Sequence, residues 1–258
     1  MSPSLSNLVA KLPSIACYAY QSKVHYYDRD SLFIHYANPE YSIAENFLSL
    51  LRKDQKFTDQ EARLLDTILM LHADHGGGNN STFTNVVISS TGTDIYSTVS
   101  ASIGSLKGPR HGGANIKVAE MMDAVLEDVG GYTADDKKLR VAVNRLMDGK
   151  LYDRSGLVYG FGHAVYTISD PRAEMLRACC AEVAKEKKQQ TEFDFRQRFE
   201  RAALDVMKER KGTALPTNVD YYSGFAYGML NIPRDLYTPL FMCSRMVGWV
   251  AHNIENKL

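Results

Sequence analysis

Thr58-Asp59-Gln60-Glu61-Ala62-Arg63-Leu64-Leu65-Asp66-Thr67-Ile68-Leu69-Met70-Leu71-His72 opens on a threonine placed three residues before a glutamate. That pattern caps a helix start reciprocally, each side chain taking a backbone N–H of the other. Leu64, Leu65, Ile68, Leu69 and Leu71 follow at the i, i+3, i+4, i+7 spacing of a buried helix face. The same grammar extends outward. Ser42 and Glu45 form a second such start before Phe47, Leu48, Leu50 and Leu51. Residues 115–129 carry Val118, Met121, Met122, Val125 and Val129 and stop at Gly130-Gly131, the left-handed end that helices favour. Residues 139–147 end before Gly149, and Asp170-Pro171 reads as a start because proline at the first helical position loses no needed hydrogen bond. That helix carries Met175, Leu176, Cys179 and Val183. The next carries Phe195, Phe199, Ala202, Ala203, Val206 and Met207 up to Gly212. Residues 239–258 form a last amphipathic helix. Only residues 151–161, with Asp153, Ser155 and Gly156, suit a short β-hairpin. The pattern predicts a mainly α protein with at most that minor hairpin.

The 258 residues fit one large domain or two moderate ones. Thirty Lys and Arg balance thirty Asp and Glu. Such a balance lacks the basic excess that nucleic-acid binding requires, and it eases self-association. Cys17, Cys179, Cys180 and Cys243 form no C-x-x-C pair, and neighbouring residues on a helix do not face each other, so reduced thiols are expected. The first twenty residues are interrupted by Lys11 and Pro13 and make a poor signal peptide. No stretch is long and apolar enough to span a bilayer, so no membrane partner and a cytoplasmic location are the default expectations.

Four of the seven histidines fall among small, turn-forming residues: His72 and His75 before Gly76-Gly77-Gly78, His111 before Gly112-Gly113, and His163 after Gly162. Glycine lets backbone and ligand approach closely, and imidazole exchanges protons near neutral pH. Asp220, in Asn218-Val219-Asp220, reads either as a helix cap or as a catalyst. The glycine run lacks the Lys-Ser/Thr ending of a phosphate loop. His72 and His75 share a helix face, but there is no H-E-x-x-H pattern and no third ligand, so no metal is expected.

In combination and in order, seven stretches resemble the citrate synthase family: His72-Ala73-Asp74-His75, Ser81-Thr82-Phe83-Thr84, Gly108-Pro109-Arg110-His111-Gly112-Gly113-Ala114-Asn115, Gly160-Phe161-Gly162-His163-Ala164-Val165-Tyr166, Asp170-Pro171-Arg172, Asn218-Val219-Asp220-Tyr221-Tyr222-Ser223-Gly224 and Ser244-Arg245. The resemblance runs from about Leu8 to the C-terminus. It implies condensation of acetyl-CoA with oxaloacetate and hydrolysis of citryl-CoA to citrate and CoA. Asp220 would remove the methyl proton, His111 would hold the enolate oxygen, and His163 would polarise the ketone. His75, Arg172 and Arg245 would bind oxaloacetate, since guanidinium forks take carboxylates bidentately. Coenzyme A enters as a co-substrate, with no tightly bound cofactor.

The resemblance further implies two helical domains closing over the substrates: a large one from 1–112 and 226–258, and a small one from 113–225. It also implies a homodimer, with the helices at 80–90 and 94–106 at its interface. Against the family pattern the chain is expected to lack the N-terminal part of the large domain and the C-terminal arm, whose arginine reaches the partner subunit. Gly76 and Thr167 stand where many members have a glutamate and a basic residue near CoA. Two alternatives accompany this reading: a 2-methylcitrate synthase using propionyl-CoA, and a catalytically incompetent fragment that only binds ligand or a partner chain.

Overall fold

Both expected capping boxes form. Ser42 Oγ accepts the Glu45 N–H at 3.2 Å while Glu45 takes the Ser42 N–H at 2.7 Å. Thr58 and Glu61 repeat the exchange at 3.2 and 2.9 Å. Glu61 is buried and also receives both Nη atoms of Arg52, at 2.7 and 3.0 Å, so one carboxylate caps a helix and neutralises a cation.

The structure, a computed structural model, describes residues 3–108, 111–163, 166–213 and 215–257. The described helices are α1 (Pro3–Asp28), α2 (Ile43–Leu51), α3 (Asp59–His72), α4 (Asn80–Ser89), α5 (Ile95–Leu106), α6 (Ala114–Val129), α7 (Asp136–Met147), α8 (Pro171–Glu186), α9 (Gln190–Lys211), α10 (Val219–Met229) and α11 (Tyr237–Glu255), the last preceded by a 3₁₀ turn at Arg234–Leu236. Pro13 lies inside α1 rather than interrupting it. The lost N–H is offset by a buried face of Leu12, Ala16 and Cys17, and Gln21 Nε2 donates to Leu51 O at the end of α2.

Residues 151–161 do not form the expected hairpin, and no strand occurs among the described residues. Tyr152, Arg154 and Gly156 all have φ near +60 to +75°, which curls the chain instead of extending it. Asp153 holds the curl by accepting the Ser155 N–H and the Tyr159 hydroxyl. A single antiparallel bridge pairs Phe161 with Thr217.

The chain divides into two compact units, residues 1–113 with 233–258 and residues 114–232. Helix α10 runs unbroken to Met229, and Tyr227, Met229, Leu230 and Ile232 are buried within the second unit. In the first unit α11 packs against α1, α3, α4 and α5, with Trp249 fully buried. In the second, α10 packs on α6 and α8, and α7 on α9, around Phe195, Phe199, Tyr221 and Tyr222.

The amphipathicity of α4 is inverted. It buries Ser81, Thr82, Asn85 and Ser89 and exposes Phe83 and Val87. Asn85 Nδ2 donates to Ser102 Oγ of α5 at 3.1 Å, so the α4–α5 seam is polar and made of small side chains that let the helices approach closely.

Replacing Thr58 by Ala removes one cap bond and is expected to cost about 1 kcal/mol. Glu61→Ala also removes the carboxylate that pairs with Arg52 and is expected to cost about 3 kcal/mol. Urea unfolding of the two variants measures the difference.

Candidate active site

In the first unit, the open end of α3 is closed by α11. Ser244 Oγ donates to Leu69 O, Arg245 Nε donates to His72 O at 2.7 Å, and Gly248 N–H reaches Ala73 O at 3.2 Å. Gly248 has to be glycine, because a Cβ there would lie 2.4 Å from Ala73 O. His72 is fully buried, with Nδ1 on Ile68 O at 2.9 Å, and its ring meets Phe241 edge-on. It supports the loop from within the core. His75, three residues on, is half-buried. Arg245 is buried with its guanidinium 4.8 Å from the Phe241 ring centre.

His111 contacts the same phenylalanine, at 6.2 Å between ring centres, and its Nε2 lies 2.9 Å from Ser81 Oγ. Trp249 Nε1–H donates to that oxygen at 3.3 Å, and the Ser81 hydroxyl donates to Asn79 Oδ1 at 3.0 Å. With its one proton so committed, Ser81 Oγ is left to accept from the His111 ring. Burial, helped by the Arg245 cation, lowers the His111 pKa to about 4, so this ring is neutral at physiological pH.

In the second unit the two short loops that hold His163 and Asp220 are stitched together. Gly162 N–H donates to Pro216 O at 2.7 Å, Asn218 N–H to Gly160 O at 2.9 Å, and Asn218 Nδ2 to Gly162 O at 2.9 Å. Gly160, at φ +87°, lies so close to Tyr221 that a Cβ would come within 2.8 Å of its ring. His163 Nδ1 accepts the Tyr166 N–H at 3.0 Å, which puts the proton of the neutral ring on Nε2. That nitrogen faces Arg172 Nη2 at 3.2 Å. Burial first, then the Arg172 cation, depresses the His163 pKa, with Asp170 opposing.

Asp170 organises this half. Its Oδ1 accepts Arg172 N–H and Nε, both at 3.0 Å, and its Oδ2 accepts Arg172 Nη2 at 2.9 Å and Val219 N–H at 3.2 Å. Burial raises its pKa, but the ion pair with Arg172 and these N–H bonds outweigh that and hold it below the usual carboxylate value. Asp170 thereby fixes the Arg172 fork and the start of α10 together. Asp220 sits in the first turn of α10, half-buried, a position where exposed N–H groups favour a carboxylate. Its own N–H is taken by Asn218 Oδ1 at 3.1 Å.

His111, His75 and Arg245 thus belong to the first unit, and His163, Arg172 and Asp220 to the second. Pro109, Arg110, Ala164 and Val165 of the motifs lie outside the described residues. Sequence reasoning assigned no site role to Ser81 and read Asp170 only as part of a helix start, although both stand in the quoted motifs, and Phe241 and Trp249 gave no signal at all. No group of three or more His, Cys, Asp or Glu suited to a metal occurs among the described residues.

Each unit therefore offers an imidazole held by a hydrogen bond near an arginine. A sequence model of the family described as "Citrate synthase, C-terminal domain" matches residues 2–258. The citrate synthase of Deinococcus radiodurans is 39% identical over 212 residues, covering 82% of this chain and 52% of that protein. The 2-methylcitrate synthase of Shewanella oneidensis is 34% identical over 250 residues, covering 97% and 60%. A solved ternary complex of carboxymethyl coenzyme A and oxaloacetate with citrate synthase from Thermoplasma acidophilum superposes with a TM-score of 0.78 at 28% identity, over 98% of this chain and 61% of that one. The chain belongs to the citrate synthase family, has its all-α fold, and spans little more than half the length of the curated relatives it matches.

The depressed pKa of His111 has a stability consequence. Its folded value of about 4 lies below the ordinary 6.5, so the unfolded chain binds this proton first as pH falls. Its contribution is fully present above pH 6.5 and is lost between 6.5 and about 4. Urea unfolding across that range should show the decline, with a shallower slope in His111→Gln.

Proposed function

We propose that this chain supplies the catalytic groups of a citrate synthase, condensing acetyl-CoA with oxaloacetate and hydrolysing citryl-CoA to citrate and CoA. The observation that carries the reading is the pairing of His163 with the Arg172 guanidinium, Nε2 to Nη2 at 3.2 Å, which sets an imidazole beside a cation able to take a carboxylate. The Thermoplasma complex, which contains oxaloacetate and a coenzyme A derivative, supports the same substrates.

In this reading Asp220 takes the methyl proton of acetyl-CoA while His111 holds the developing enolate oxygen. A thioester methyl is too weak an acid for a carboxylate acting without such a donor. The enolate carbon attacks the oxaloacetate ketone, which His163 polarises by hydrogen bonding, and the proton taken up by Asp220 balances the one the resulting alkoxide acquires. Water then cleaves the citryl thioester and releases CoA. Arg172, Arg245 and His75 hold the substrate carboxylates. Neutral imidazoles suit both donor roles, because neither ring adds a charge that the substrate would have to neutralise.

The unit formed by 1–113 and 233–258 would be the large domain of the family and 114–232 the small one. The chain would act as a homodimer through α4 and α5, a reading supported by Phe83 and Val87 on the exposed face of α4. A cytoplasmic setting fits the four free cysteines.

The second reading, 2-methylcitrate synthesis from propionyl-CoA, is favoured by the 34% identity to the Shewanella enzyme. Release of CoA from acetyl-CoA and propionyl-CoA in parallel, with and without oxaloacetate, tests both. Oxaloacetate-dependent release is expected, and the faster acyl donor identifies the product. Asp220→Asn should lower it at least about 100-fold while oxaloacetate binding persists. Turnover at the wild-type rate in that variant would remove Asp220 from the mechanism. Phe83→Lys is expected to shift the light-scattering mass from dimer to monomer.

A further inference from the structure

One face of α11 grips the loop that carries His75. Ser244, Arg245 and Gly248 meet the carbonyls of Leu69, His72 and Ala73, and one turn further His252 Nε2 lies 3.2 Å from Asp74 Oδ1. Asp74 in turn accepts the backbone N–H groups of His75 and Gly76, the latter at 3.3 Å. Its carboxylate is therefore the knot between α11 and the residue that presents the His75 side chain. Gly248 brings the helix close enough for this contact, since Asp74 Oδ1 lies 2.9 Å from where a Cβ would stand. The other charged group near the imidazole is Glu255 of the same helix, 3.9 Å from Nδ1.

We propose that His252 is a positioning residue for His75: through Asp74 it fixes the backbone from which His75 reaches oxaloacetate. The contact itself stands on geometry, and its effect on substrate rests on the reading of His75 as an oxaloacetate ligand. A ring that holds Asp74 limits the loop to one conformation before substrate arrives, so less order has to be imposed on binding. The His252 side chain is 21% exposed and belongs to none of the recognised motifs, which distinguishes it from the groups that would touch substrate.

The test uses the full chain with His252→Ala, His252→Gln and Asp74→Asn. Amide hydrogen exchange at His75 and Gly76 is expected to accelerate at least tenfold in His252→Ala and Asp74→Asn. It should return close to the wild-type rate in His252→Gln, whose amide can still donate to Asp74. The amides of Leu65 and Ile68 in α3 should not change, which separates loop release from unfolding. Wild-type exchange at His75 and Gly76 in His252→Ala would overturn the proposal. Calorimetric titration with oxaloacetate adds the functional arm: Kd is expected to rise roughly five- to tenfold in His252→Ala and to stay within about twofold in His252→Gln. Weakened binding in His75→Ala together with wild-type binding in His252→Ala would overturn the positioning role. Wild-type binding in His75→Ala, or no binding by the wild type, would instead remove the substrate reading of His75, and the exchange experiment would still decide the latch.

Discussion

An α-helix ends with carbonyls that its own turns cannot satisfy, and in the first unit those of α3 are satisfied by another helix. Leu69 O and His72 O accept from the Ser244 and Arg245 side chains of α11, and Ala73 O accepts from the Gly248 backbone. The geometry tolerates little slippage, because Gly248 is already in near-contact with the carbonyl it bonds. Everything in this unit with a chemical role refers back to that seat. Arg245 commits Nε to His72 O, which fixes the plane of its remaining guanidinium nitrogens. Trp249, one turn along, anchors Ser81, and Ser81 anchors His111. Phe241, one turn back, supplies the surface against which His72, His111 and Arg245 all rest.

The second unit solves a similar problem with charge. Asp170 is buried, a costly place for a carboxylate, and it is tolerated because four N–H donors surround it. Three of the four come from Arg172 and one from the start of α10. An ion pair that would be worth little on the surface here aligns an arginine fork with the helix carrying Asp220. Glycine does the remaining alignment: Gly160 and Gly162 hold positive φ values that let the His163 loop lie flat beside residues 216–218.

Much of this was legible before any coordinates. The capping boxes at Ser42 and Thr58, the proline start at 171 and the glycine stop at 212 are local features, decided by residues within one helical turn, and they form as expected. The ordered motifs also marked the family. What remained hidden depends on residues far apart in the chain. Ser81 and Trp249 are 168 positions apart and Asp170 and Val219 are 49 apart, and no period or spacing announces such pairs. That residues 151–161 form no hairpin has a local cause. The turn residues were recognised, but Tyr152 and Arg154 also adopt left-handed backbone, which bulky residues seldom do and which no pattern flagged. Pro13 within α1 is the converse case, in which packing of the apolar face overrides a local helix breaker.

The interleaved order of the units bears on how the polypeptide comes off the ribosome. Residues 114–232 build their unit from one contiguous stretch. The first unit emerges earlier but lacks α11, so the end of α3 must wait some 170 residues for the helix that seats it. Nascent chains usually complete their N-terminal portions first. In this chain α1, α2 and α3 can pack on one another early, whereas the faces of α1, α3, α4 and α5 that α11 covers wait for residues 237–255. Through that interval those faces are the surface a chaperone would have to shield.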